Sequence, residues 1–101
     1  MSPQELFYLE TGRSIEGAVE SQMFGKPCFK INGKAFISFF QDAMVFKLDG
    51  QNHAEALALG ESRMFDPSGK GRPMKEWVQV TFDHKDRWRE FALAAFRKVN
   101  G

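Results

Sequence analysis

Between Pro27 and Leu48 the chain reads PCFKINGKAFISFFQDAMVFKL, with β-rich runs on either side of Asn32-Gly33 and a further run after Gln41-Asp42. Asn-Gly favours a two-residue hairpin, because both central residues of a type I′ turn need positive φ. Pairing outward from that turn sets Ile31 opposite Lys34, Lys30 opposite Ala35, Phe29 opposite Phe36 and Cys28 opposite Ile37. A second turn over Gln41-Asp42-Ala43 brings Met44 opposite Phe40 and adds a strand from Met44 to Leu48. Directly opposite residues share a face of the sheet. One face then carries Phe29, Ile31, Phe36, Phe40, Met44, Phe46 and Leu48, a core face. The other carries Cys28, Lys30, Ala35, Ile37, Phe39, Val45 and Lys47, apolar residues mixed with lysines.

The flanking pattern is helical at both ends. Ser2-Pro3-Gln4-Glu5 reads as a capping box with proline at the first helical position, opening a short helix that Gly12 ends. Ser14 to Glu20 is ambiguous, and Gln22 to Gly25 reads as a first strand, with Pro27 at the start of the next. Asn52 with Glu55 caps a short helix through Leu59, with Gly60 at the C′ position. Arg63 to Phe65 reads as a brief strand, 67–73 as a Gly/Pro-rich loop, and Met74 to Phe82 as a last strand. In that strand Val78, Val80 and Phe82 point one way and Lys75, Trp77 and Gln79 the other. Asp83 and Asp86 open a long C-terminal helix whose apolar stripe runs through His84, Trp88, Phe91, Ala92, Ala95, Phe96 and Val99. The fold class is therefore α+β: one small two-layer domain over residues 1–101, an antiparallel sheet with helices on one face. No element remains to cover the second face, which is expected to be half open.

Composition narrows the function classes. Eleven Phe and two Trp supply a core without a staple, and the single cysteine, Cys28, excludes an internal disulfide and fits a reducing compartment. One Cys and two widely spaced His fall short of a structural zinc pattern. The start, MSPQELFYLE, lacks the basic lead and apolar run of a signal peptide, and no apolar stretch is long enough for a membrane span. The expectation is a cytoplasmic protein with no cofactor and no membrane association. Net charge is +1, the first 60 residues leaning acidic and the remainder basic. That balance implies no strong nucleic-acid preference by itself.

Four candidate sites follow. Lys70-Gly71-Arg72 after Ser68-Gly69 resembles an anion-binding loop, its glycines letting backbone N–H groups converge, against the alternative of a solvated turn. It is not a P-loop, since Met64 and Gly71 stand where glycine and Ser/Thr are required. His53 and His84 have the chemistry of acid–base groups, but the sequence sets no third residue to orient either. Cys28 with a distant His is a nucleophile pair only if the thiol is not simply a small strand residue. No catalytic set is assigned. Lastly, Trp77 alternates out of phase with Val78 and Val80, so the second face gathers Ile37, Phe39, Val45 and Trp77 with Lys30, Lys47 and Lys75. That mixture fits a homodimer or protein interface, a solvated face covered by lysine stems, or a nucleic-acid surface. The candidate anion or partner contacts are Lys47, Lys70, Arg72, Lys75, Trp77 and Phe39.

At Met23-Phe24-Gly25, Asn32-Gly33-Lys34-Ala35-Phe36, Phe46-Lys47-Leu48 and Lys70-Gly71-Arg72-Pro73 the chain resembles the N-terminal domain of the TfoX/Sxy competence-regulator family. It is more distantly similar to small YjbR/MmcQ-type proteins. The resemblance implies an α+β fold with an antiparallel sheet, a bacterial origin and no known catalytic residues. A non-enzymatic interaction or regulatory module is the leading expectation. A nucleic-acid-binding module and an enzyme with a pocket near His53 or His84 are the alternatives.

Overall fold

The structure is a computed structural model and describes residues 1–100. Its elements are α1 (Pro3–Arg13), β1 (Val19–Met23), β2 (Lys26–Ile31), β3 (Lys34–Phe40), β4 (Ala43–Lys47), α2 (Gly50–Ala58), β5 (Arg63–Phe65), β6 (Met74–Val80) and α3 (Trp88–Asn100). A 3-10 segment, Phe82–Arg87, leads into α3. All strand pairs are antiparallel in one sheet of order β1-β2-β3-β4-β6-β5, which establishes the α+β class. The helices pack on one face of it.

Three two-residue turns build the first four strands. Positive φ occurs at Phe24 and Gly25 (55° and 74°), Asn32 and Gly33 (52° and 78°), and Gln41 and Asp42 (51° and 62°), as type I′ turns require. Only the middle one is where the sequence pattern put it. Phe24-Gly25 is a turn rather than the end of a strand, so β1 begins earlier, at Val19. The third turn has two residues, not three, so Phe40 pairs with Ala43 and Phe39 with Met44.

A bulge completes the rearrangement. Lys30 faces Ala35, but Phe29 faces Ile37, leaving Phe36 as an extra residue on β3. A bulge admits two residues against one and lets consecutive side chains share a face. Phe36 and Ile37 accordingly both enter the helix-side core. Beyond the bulge the alternation is inverted relative to the simple hairpin. Ile37 and Phe39 move to the helix side, where the Phe39 ring meets Tyr8 at 5.2 Å, and Phe40 moves to the far face. The expected placement of Ile37 and Phe39 on the open face is thus corrected.

The helices dock as their stripes dictate. Ser2 Oγ accepts the Glu5 N–H at 3.1 Å and starts α1. That helix runs one residue past Gly12, whose missing side chain lets the Phe29 ring lie against the backbone. Asp49, not Asn52, occupies the N-cap of α2, three residues earlier than the sequence suggests. Trp88 and Phe91 of α3 are fully buried, and Trp88 Nε1 donates to the Thr81 carbonyl at 3.1 Å. No helix is long and apolar enough to cross a membrane among the described residues.

Candidate functional site

The face away from the helices is organised by one transverse row. Ser21 pairs with Cys28, Cys28 with Ser38, Ser38 with Val45, Val45 with Gln79, and Gln79 with Arg63. Among the described residues no helix covers this row, yet Cys28, Ser38, Val45 and Gln79 are buried. The reason is curvature. In a flat sheet β3 and β5 would lie roughly 14 Å apart, three strand spacings. The rings of Phe40 and Phe65, on those strands, nevertheless meet edge-on at 5.3 Å. The sheet curls toward this face and encloses a small second core of Val45, Phe65 and Trp77, with Met23, Ala35, Phe40 and Met74 packed on it. The face is concave rather than half open.

Trp77 lies on this face, as its alternation requires, but is only 5 % exposed. It serves as a floor and not as an anchor. Lys47, its cross-strand partner, holds Nζ 5.9 Å from the indole ring, and Lys26 holds Nζ 5.0 Å from the ring of Phe40. Burying the Cys28 thiol pushes its pKa up, so it is the small strand residue and carries no activated thiolate.

The charge on this face has one sign. Its strand positions carry Lys26, Lys30, Lys47 and Arg63, and no aspartate or glutamate. Among the described residues none of these four cations belongs to an ion pair. The ion pairs lie with the helices: Arg13–Glu20, Arg87–Glu55, Arg87–Glu90, Lys98–Asp49 and Lys98–Glu76. A net charge of +1 therefore conceals an uneven layout, with the acids of the strands and helices away from this face and only cations at its strand positions.

Lys70 and Arg72 are exposed on the loop after β5, and Lys75 is exposed at the start of β6. A cleft of about 640 Å³, lined among others by Phe40, Arg63, Asp66, Ser68 and Pro73, joins that loop to the edge of the concave face. The loop itself is not an open anion cradle. Asp66 fills it: its carboxylate accepts from Ser68 Oγ at 2.8 Å, Gly69 N at 3.1 Å and Gly71 N at 2.9 Å. The backbone donors that would meet an external anion are taken by the chain's own carboxylate. What remains available is the side-chain charge of Lys70 and Arg72.

These bonds, first that from Ser68, hold the Asp66 carboxyl below its ordinary range. Because the folded value is depressed, the ordering of the loop is complete above the ordinary carboxylate value of about 3.9. It is lost as pH falls through the lower folded value. In an acid titration followed by NMR, the Gly69 and Gly71 amides should therefore move together with a midpoint below that value. In Asp66→Asn they should not titrate. A midpoint at or above it would remove the carboxylate from this role.

The two histidines act as clasps. His53 Nε2 donates to the Lys75 carbonyl at 2.8 Å, tying α2 to β6, and His84 Nε2 donates to the Gly60 carbonyl at 2.9 Å. Among the described residues no three His, Cys, Asp or Glu side chains gather as metal ligands. Sequence reasoning missed Lys26, Arg63 and Phe40 as members of this face. The glycine of Phe24-Gly25 is the signal for the short turn that positions Lys26, while Phe40 reaches this face through the bulge in β3, which no residue pair marks. Comparison with protein-family models, with curated proteins and with solved structures gives no match to this chain.

Proposed function

We propose that the protein is a non-enzymatic binding module whose working surface is the concave sheet face, and that its ligand is a single-stranded nucleic acid. The observation that carries this reading is the set of four unpaired cations, with no acid at the strand positions of the face, over an apolar floor. A groove of one charge sign tracks a phosphate backbone and tolerates sequence. Trp77 is too buried to stack a base, so the half-buried ring of Phe40 is the aromatic surface offered and charge dominates. Lys70 and Arg72 extend the cationic path beyond the cleft. The fold class is the one implied by the resemblance to the TfoX N-terminal domain, and a regulatory role in the bacterial cytoplasm is consistent with that resemblance and with a single thiol.

A labelled single-stranded oligonucleotide titrated at several salt concentrations tests the reading. Affinity should fall with salt, with a log–log slope of about −0.7 per phosphate contact. Lys30→Ala and Arg63→Ala should each weaken binding and flatten the slope by about that amount. Arg97→Ala, on the helix side, should change neither. Absence of salt-sensitive binding, or equal effects at Arg97 and Arg63, would sink the proposal.

A further inference from the structure

The sheet has two free edges, and they are not alike. β5 is three residues long and bulged against β6 between Met64 and Phe65. β1 has five residues, VESQM, pairs with β2 in unbroken register, and carries neither proline nor lysine. Short strands, bulges, prolines and lysines are the devices that blunt an edge. β1 has none of them, and its one charged residue, Glu20, is paired with Arg13 at 3.0 Å. At its ends lie Val19 and Phe24, each 62 % exposed, and Phe24 is a bulky residue held at positive φ.

Which backbone groups of β1 point outward follows from the turn. In a two-residue hairpin the pair flanking the turn, Met23 and Lys26, is hydrogen-bonded, and bonded pairs alternate with non-bonded ones. Ser21–Cys28 and Val19–Lys30 are then bonded pairs, and Gln22–Pro27 and Glu20–Phe29 are not. The non-bonded position of Pro27 suits a residue without an N–H toward β1. The N–H and C=O groups of Glu20 and Gln22 accordingly face the open edge.

We infer that the β1 edge joins a second copy of this chain, the two β1 strands pairing antiparallel about a two-fold axis at Ser21. This register sets Glu20 opposite Gln22 of the second copy as a bonded pair, twice, so that the outward backbone groups of both strands are satisfied. It sets Val19 opposite Met23 on one face and places no like charges opposite one another. Centring on Glu20 instead would oppose two glutamates, and centring on Gln22 would shorten the overlap. The strand is complementary to itself in a single full-length register, as a two-fold interface demands. Ser21 shares a face with Cys28, so the axis would also bring the concave faces of both copies to one side of a continuous sheet.

Cross-linking reads the register directly. In a non-bonded antiparallel pair Cα atoms are about 4.5 Å apart, within the range for a disulfide. In a Cys28→Ala background, Ser21→Cys should give a disulfide-linked dimer on mild oxidation. Val19→Cys should not, since its copies would be roughly 14 Å apart along the strands. As an independent arm, Gln22→Pro removes an outward donor that the β2 ladder does not use. By sedimentation the unaltered chain should show a mass that rises with concentration, and Gln22→Pro should keep its circular dichroism and lose that rise. Failure of Ser21→Cys to cross-link, equal cross-linking at Val19, or an undiminished mass in Gln22→Pro would overturn the assignment.

Discussion

Phe36→Ala is expected to cost about 3–5 kcal/mol, the range for truncating a buried phenylalanine. The residue is fully buried and meets Phe96 of α3 edge-on at 5.8 Å. It occupies the core as the extra residue of a bulge, so its neighbours cannot slide to close the gap without breaking the pairing of Phe29 with Ile37. A domain of this size has roughly 5–15 kcal/mol of total stability, so a large share of it would be lost. The melting point should fall by roughly 12 °C or more, at about 4–8 °C per kcal/mol. Denaturant unfolding checks it: a loss under about 1 kcal/mol would mean Phe36 is not a core residue.

Gly12→Ala carries the second large effect, and its sign is the informative part. Helix propensity alone favours alanine over glycine inside a helix by about 1 kcal/mol. Here a Cβ would meet the ring of Phe29, which is itself locked between Tyr8 and the sheet. Overpacking of this kind costs about 1–3 kcal/mol and sometimes more, because neither the buried ring nor the helix backbone can yield. Net destabilisation is expected, and Gly12→Val should be worse still. If Gly12→Ala melts higher than the unaltered chain, the close approach of α1 to β2 is wrong.

The sequence made the outer parts of this fold legible and hid its centre. Asn32-Gly33 specifies its turn through chemistry found at few other residue pairs, and Ile31–Lys34 and Lys30–Ala35 pair as the turn requires. The stripe from Trp88 to Ala95 has a helical period strong enough to survive the 3-10 segment before it. The bulge leaves no such mark. Ala35-Phe36-Ile37 are all apolar, so moving the register by one exchanges one apolar residue for another, and the pattern reads equally well both ways. That single slip sends Phe39 to the helix side and Phe40 to the concave face. Curvature is hidden for a different reason: it depends on Phe40 and Phe65 meeting across two intervening strands, which no local periodicity encodes. Lys47 and Trp77, both candidate contacts, fall together by alternation, while Lys26 and Arg63 join the face through turns and strand order that the pattern does not give. At Lys70–Arg72 the glycines are visible and leave an anion cradle and a solvated turn both open, whereas no pattern in the sequence marks Asp66 as the group that fills the loop.

The division of charge between the two faces is the feature on which the functional reading depends. Backbone amide shifts of isotope-labelled protein, followed while a single-stranded oligonucleotide is added at low salt, test it most directly. The account predicts that Lys26, Lys30, Ser38, Gln79 and Arg63 move together and saturably, that the exposed face of α3 around Arg97 stays still, and that added salt reverses the changes. Perturbations centred on α3, or none on the Ser21-to-Arg63 row, would contradict it.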